Sequence, residues 1–172
     1  AGVIAAESNG EGLTGIAPEA RVQPIRALSW RGGLLSDIAA SITWASGGTV
    51  EGVPQNATPS DIINLSFSVE TTCPRTLQSA IDGANARGSI VVAAAGNAAS
   101  DAGSFAPGNC GGVVTVGASN RDGGPAHYSN YGPTVDVFAP GGDPTNPVNA
   151  LSNSGGQALA TPSLRGDQGT SI

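Results

Sequence analysis

The stretch Ser89-Ile90-Val91-Val92-Ala93-Ala94-Ala95-Gly96-Asn97 constrains this chain more than any other. Consecutive strand-forming residues without alternation read as a strand covered on both faces, as in parallel sheets. The run narrows to alanines and then a glycine, which removes side-chain bulk where another backbone or a ligand must come close. Asn97 stands just past the carboxyl end of that strand, where open α/β sheets place their ligands.

The elements around it fit an α/β order. Residues 1–7 are small and helix-compatible, Ser8 to Gly12 form a turn, and Arg21 to Leu28 read as a strand. Leu35, Ile38, Ile42 and Ala45 recur at helical spacing, with Ser36-Asp37 offering an N-cap and an acidic first turn and Gly47-Gly48 a stop. Ile62 to Phe67 read as a second buried strand. Leu77, Ile81 and Ala84 share one face of a helix that Pro74 opens and Gly88 closes. Val113 to Val116 and Val135 to Phe138 are further short strands, and beyond Pro140 the chain turns Gly-, Pro-, Asn- and Ser-rich. Strand, helix, strand at this spacing predicts right-handed crossovers in a parallel sheet.

Length and composition narrow the classes. At 172 residues one domain, 1–172, is the expectation. With 39% hydrophobic residues and only 12% charged, extensive disorder is excluded. A net charge of -6, with seven arginines and no lysine, leaves no electrostatic footprint for nucleic acid or an anionic membrane. No apolar run reaches the roughly 20 residues that span a bilayer. The opening Ala1-Gly2-Val3-Ile4 carries neither methionine nor a basic leader and reads as a mature chain or a fragment. Cys73 and Cys110 lack metal-ligand spacing, which leaves one disulfide in an exported protein or two buried thiols.

Residue types alone point to little chemistry. His127 is the single histidine, and no nucleophile or carboxylate is tied to it by a motif, so it reads as a solvated loop residue. Asp101, Asp122 and Asp143 read as turn formers. Asn56-Ala57-Thr58 is a formal glycosylation sequon. No internal repeat, GxGxxG or phosphate-cradling loop is present.

Four segments in order nevertheless resemble the subtilisin-like serine proteases, the subtilases. These are Ala1 to Ala6 with Gly15-Ile16-Ala17-Pro18, then Ile63-Asn64-Leu65-Ser66, then Val91 to Asn97, then Gly169-Thr170-Ser171. Tyr128 to Pro133 and Val135 to Gly141 are similar as well. The resemblance implies a subtilisin-like parallel sheet with helices on both faces, incomplete because N-terminal strands and C-terminal helices lie outside the chain. It implies a secreted or periplasmic serine endopeptidase that takes an extended polypeptide substrate.

Residue by residue, Ser171 matches the nucleophile and Asn97 the asparagine that stabilises the oxyanion. Ser66, Phe67 and Ser68 match the segment that pairs with substrate as an added strand, usually Ser-Leu-Gly, and Ala94, Ala95 and Gly96 match the opposite wall of the specificity pocket. The family's Asp and His motifs belong upstream, so His127 is not promoted and the chain as given is expected to be inactive alone. Cys73 and Cys110 lie where secreted relatives pair cysteines. Asn9 falls in a loop that binds structural calcium in some relatives, set against a plain turn. No cofactor is implied for the chemistry. The departures at Phe67, Ser68 and Ile172, where relatives carry methionine, leave an alternative: a catalytically dead, subtilase-like peptide-binding module.

Overall fold

A computed structural model describes residues 1–29, 32–153 and 162–172. The strands β1 (Ile62–Leu65), β3 (Ile90–Ala94), β5 (Val113–Ser119) and β6 (Val137–Pro140) form a sheet in the order β1-β3-β5-β6, and every pairing in it is parallel. β3 lies between β1 and β5, in register Leu65↔Ala93 on one side and Ala93↔Thr115 on the other. The strand that opened the sequence argument is therefore central.

Two helices cover one face of this sheet. Helix α2 (Leu35–Ala45) buries Ile38, Ala39, Ile42 and Ala45, and α3 (Arg75–Ala86) buries Leu77, Ala80, Ile81 and Ala84. Both stripes follow the 3.6-residue period and meet Ile63, Leu65, Val91 and Ala93 in one apolar cluster. Ser36 does not cap α2; Leu34 takes the N-cap position, while Asp37 does fall in the acidic first turn. Pro74 is the N-cap of α3, and Gly88, at φ 93, follows its C-cap residue Arg87, a backbone conformation that favours glycine.

Ile62 is 63% exposed and Ile90 53% exposed, so cover on both faces does not extend over the start of β3. The chain exposes 10415 Å², against about 7,700 Å² for a folded monomer of its mass. The chain therefore exposes more surface than is typical of a folded monomer of its mass.

Two local expectations change. Arg21 to Leu28 is not a strand, because no described residue offers it a ladder partner. The Pro- and Asn-rich region after Pro140 holds an antiparallel pair, β7 (Val148–Asn153) with β8 (Pro162–Asp167). The short strands β2 (Val69–Glu70) and β4 (Phe105–Ala106) also pair antiparallel. The helix α1 spans Gly2–Ala5. Cys73 and Cys110 form a disulfide, with Cα atoms 5.1 Å apart, which settles the two alternatives left open for them. Asn56 is buried and its Nδ2 donates to Gln23, Trp44 and Ala45, so the sequon's nitrogen is already committed.

Candidate active site

The site assembles at the carboxyl end of β3. Ala93, Ala94 and Ala95 are buried, and Ala95 N–H still donates to Val116 O at 2.9 Å, so the ladder persists to the last alanine. Gly96 then turns the chain with φ 108, a conformation that L side chains rarely adopt. The turn lifts Asn97 out of the sheet and leaves it exposed.

The segment Gly169-Thr170-Ser171 comes back to this turn from the far end of the chain. Gly169 N–H donates to Gly141 O at 3.0 Å. The Asn97 Oδ1 accepts from Thr170 N at 2.9 Å and from Thr170 Oγ1 at 3.0 Å. Thr170 Oγ1 in turn accepts from Gly96 N at 3.2 Å. A backbone N–H can only donate, so the atom facing it must be the carboxamide oxygen, and Nδ2 of Asn97 is left facing the other way. A Cβ built on Gly169 would lie 3.4 Å from Asn97 Nδ2 and 3.7 Å from Ser171 N. With Asn97 Oδ1 at 3.9 Å, atoms of two segments thus lie within 4 Å of one point beside Ser171, which is exposed.

The other predicted positions fall beside the same turn. Ser66, Phe67 and Ser68 continue directly from β1, next to Ala94, Ala95 and Gly96, because the register pairs Leu65 with Ala93. Ser66 Oγ accepts from Asn64 Nδ2 at 2.8 Å, Phe67 packs half-buried against the core, and Ser68 Oγ lies 3.0 Å from where a Gly96 Cβ would stand.

The loop holding His127 contributes residues that sequence reasoning passed over. His127 is exposed, its ring edge-on to Tyr128 at 5.2 Å, and no described hydrogen bond joins it to Ser171. Tyr128 Oη donates to the carbonyls of Gly141 and Gly142, at 2.7 and 2.8 Å, and burial raises its phenol above the ordinary value. Asn130 is fully buried under the Asn97 turn. Thr170 lies between two matched residues. The one signal for Tyr128, Asn130 and Thr170 in the sequence is that each sits inside a segment similar to the family.

Asp101 and Asp143 serve turns. Asp101 Oδ1 accepts from Gly103 N, and Asp143 Oδ1 accepts from Thr145 N and Asn146 N, each at 2.8 Å. The bond from Asn146 N–H is the main reason the Asp143 carboxyl lies below the usual carboxylate range. Calcium requires six to eight oxygens, drawn from carboxylates, carbonyls and waters. Asn9 Oδ1 already accepts from Glu11 N at 3.0 Å, and no group of three His, Cys, Asp or Glu gathers there or elsewhere among the described residues. The residues described do not make such a cage by themselves.

A family model described as the subtilase family matches residues 1–172. An extracellular protease of Xanthomonas campestris is 46% identical over 159 residues, which is 92% of this chain and 27% of that protein. Subtilisin BL of Lederbergia lenta is 32% identical over 169 residues, 96% of this chain and 58% of that protein. A solved structure of a protease from Pseudoalteromonas arctica superposes with a TM-score of 0.95 at 46% identity, covering 99% of this chain and 52% of that one. The chain spans between about a quarter and three fifths of these relatives.

Proposed function

The chain belongs to the subtilase family, and from that premise we propose that its residues 1–172 are part of the catalytic domain of a secreted serine endopeptidase. Ser171 Oγ attacks the scissile carbonyl carbon of an extended polypeptide lying along Ser66 to Ser68 and Ala94 to Gly96. The negative oxygen that results is met by Asn97 Nδ2 and Ser171 N. One observation carries the reading: these two donors lie within 4 Å of a single point, and a hole for an oxyanion needs preorganised donors close to where charge develops.

A serine hydroxyl needs a histidine to take its proton and a carboxylate to orient that histidine. His127 is not joined to Ser171, so both partners come from the whole protein outside these residues. The open sheet face, with Ile62 and Ile90 exposed, supports the same reading of a fold completed by further chain. No metal enters the chemistry proposed.

The test uses the full-length protein with a peptide anilide and a fluorophosphonate probe. Asn97→Ala is expected to lower kcat by roughly 10²- to 10³-fold with little change in KM; the figure is that for removing the equivalent donor in a subtilisin and is carried over, not worked from this chain. Ser171→Ala abolishes labelling. The 172-residue chain alone is expected to label far more slowly than the intact protease, and labelling at the intact rate refutes the need for outside partners. A full-length protein that binds peptides but never turns them over establishes the binding-module alternative.

A further inference from the structure

Resting on Asn97 as an oxyanion donor, we propose that Asn130 is the positioning residue of the oxyanion hole: its carboxamide clamps the backbone on both sides of Asn97 and thereby sets where the Asn97 amide points.

Asn130 is 0% exposed, so it reaches no substrate. A carboxamide offers two N–H donors and an oxygen that accepts twice. Nδ2 of Asn130 donates to Ala95 O at 2.9 Å, just before the turn. Its Oδ1 accepts from Ala98 N at 2.8 Å and from Ser100 N at 3.3 Å, just after it. Carbonyls only accept and backbone N–H groups only donate, so no other orientation of the carboxamide satisfies the three partners.

The main chain of the same loop locks the clamp in place. Asn130 N donates to Gly96 O, Ala99 N to Tyr128 O and Tyr131 N to Ser100 O, at 2.9 to 3.0 Å. Gly96 belongs to the device, since a Cβ there would overlap Nδ2 of Asn130. Asn97 is the residue enclosed by these bonds, and its amide direction is inherited from them. Tetrahedral geometry tolerates little error in that direction, because the donor must meet the oxyanion and not the ground-state carbonyl.

A general loop anchor would affect folding and substrate binding whether or not residue 97 carries an amide. A positioning residue acts only through that amide, and a double-mutant cycle separates the two. In the full-length protein, kcat and KM for a peptide anilide are measured for Asn130→Ala, Asn97→Ala and the double variant, with rates normalised to active sites titrated to completion. Asn130→Ala is expected to lower kcat by about 10- to 100-fold, the upper figure being what a misplacement of about 1 Å costs. KM stays within about twofold. In the Asn97→Ala background the same change lowers kcat by less than about twofold, because no amide is left to aim.

A loss of equal size in both backgrounds, or one that falls on KM, makes Asn130 an ordinary anchor and overturns the proposal. If Asn130→Ala does not fold, Asn130→Asp keeps the shape and both acceptor bonds and loses the donor to Ala95 O; the same cycle with the same criteria then decides. Failure of the underlying reading looks different: Asn97→Ala by itself leaves kcat untouched, and both proposals fall together.

Discussion

Thr170→Val tests how the Asn97 amide is held. Thr170 is 9% exposed and its hydroxyl makes two bonds, donating to Asn97 Oδ1 and accepting from Gly96 N. Valine keeps the branched shape and deletes both. The Gly96 N–H, in a buried residue, then loses its partner, which costs about 1–3 kcal/mol of stability. Asn97 Oδ1 keeps only the bond from Thr170 N. Losing one hydrogen bond worth about 1 kcal/mol from the aimed state corresponds to about a fivefold fall in kcat. Thr170→Ser retains both bonds and is expected to stay close to the parent. The assay is kcat and KM of the full-length protein on a peptide anilide, beside urea unfolding of each variant. If Thr170→Val is destabilised yet keeps the parent kcat, the hydroxyl serves the fold alone. If Thr170→Ser is as impaired as Thr170→Val, the methyl group matters and the hydrogen-bond argument fails.

Replacing Cys73 and Cys110 together by serine removes a link that closes 37 residues of sequence, worth about 4 kcal/mol in the chain-entropy model, and urea unfolding of the parent with and without reductant should show the same gap. Gly96→Ala meets both a φ of 108 and the Asn130 amide, for an expected loss of about 2–5 kcal/mol. Gly88→Ala has a similar φ with open space around it and should lose only about 1–2 kcal/mol, so equal thermal shifts for the two would discredit the packing argument. Burial raises the Tyr128 phenol above the ordinary 10.0, so the folded state holds that proton more tightly than the unfolded chain does. The stability it contributes is complete below about pH 10 and is lost as pH rises through the folded value. Tyr128→Phe should flatten that alkaline loss while removing the bonds to Gly141 and Gly142 at every pH; unchanged alkaline slopes in urea midpoints would count against it.

The parts of the fold that were legible are those with a local cause. β3 was visible because consecutive β-branched residues have few other uses, and α2 and α3 because Ile38, Ile42, Leu77 and Ile81 recur at the helical period. The parts that were not legible depend on a partner. Arg21 to Leu28 carries strand-like residues, and pattern alone cannot supply a neighbour. The pair β7 and β8 had the opposite problem: Pro147, Asn149, Asn153 and Gly166 look like loop, yet Leu151 opposite Leu164 and Ala150 opposite Arg165 make a ladder once the chain doubles back. The cysteine pairing became certain only when Cα atoms 37 residues apart were found 5.1 Å from one another.

The site shows the same division within a single glycine. From the sequence, the small residues before Asn97 mark a place where another backbone or a ligand comes close. In the structure Ala93, Ala94 and Ala95 are buried, and the space beside Gly96 is taken from inside by the Asn130 carboxamide and from the side by Ser68. The bonds responsible join residues 30 to 74 positions apart, from Ser100 with Asn130 to Gly96 with Thr170. No window of sequence contains both ends of such a bond. What remains visible locally is the vacancy, a glycine where a side chain is forbidden, and the identity of the group that forbids it belongs to the fold. Asn97 is thus one exposed residue held by two others, Thr170 through its oxygen and Asn130 through its backbone. A variant at either holder should therefore reach the chemistry only through the Asn97 amide.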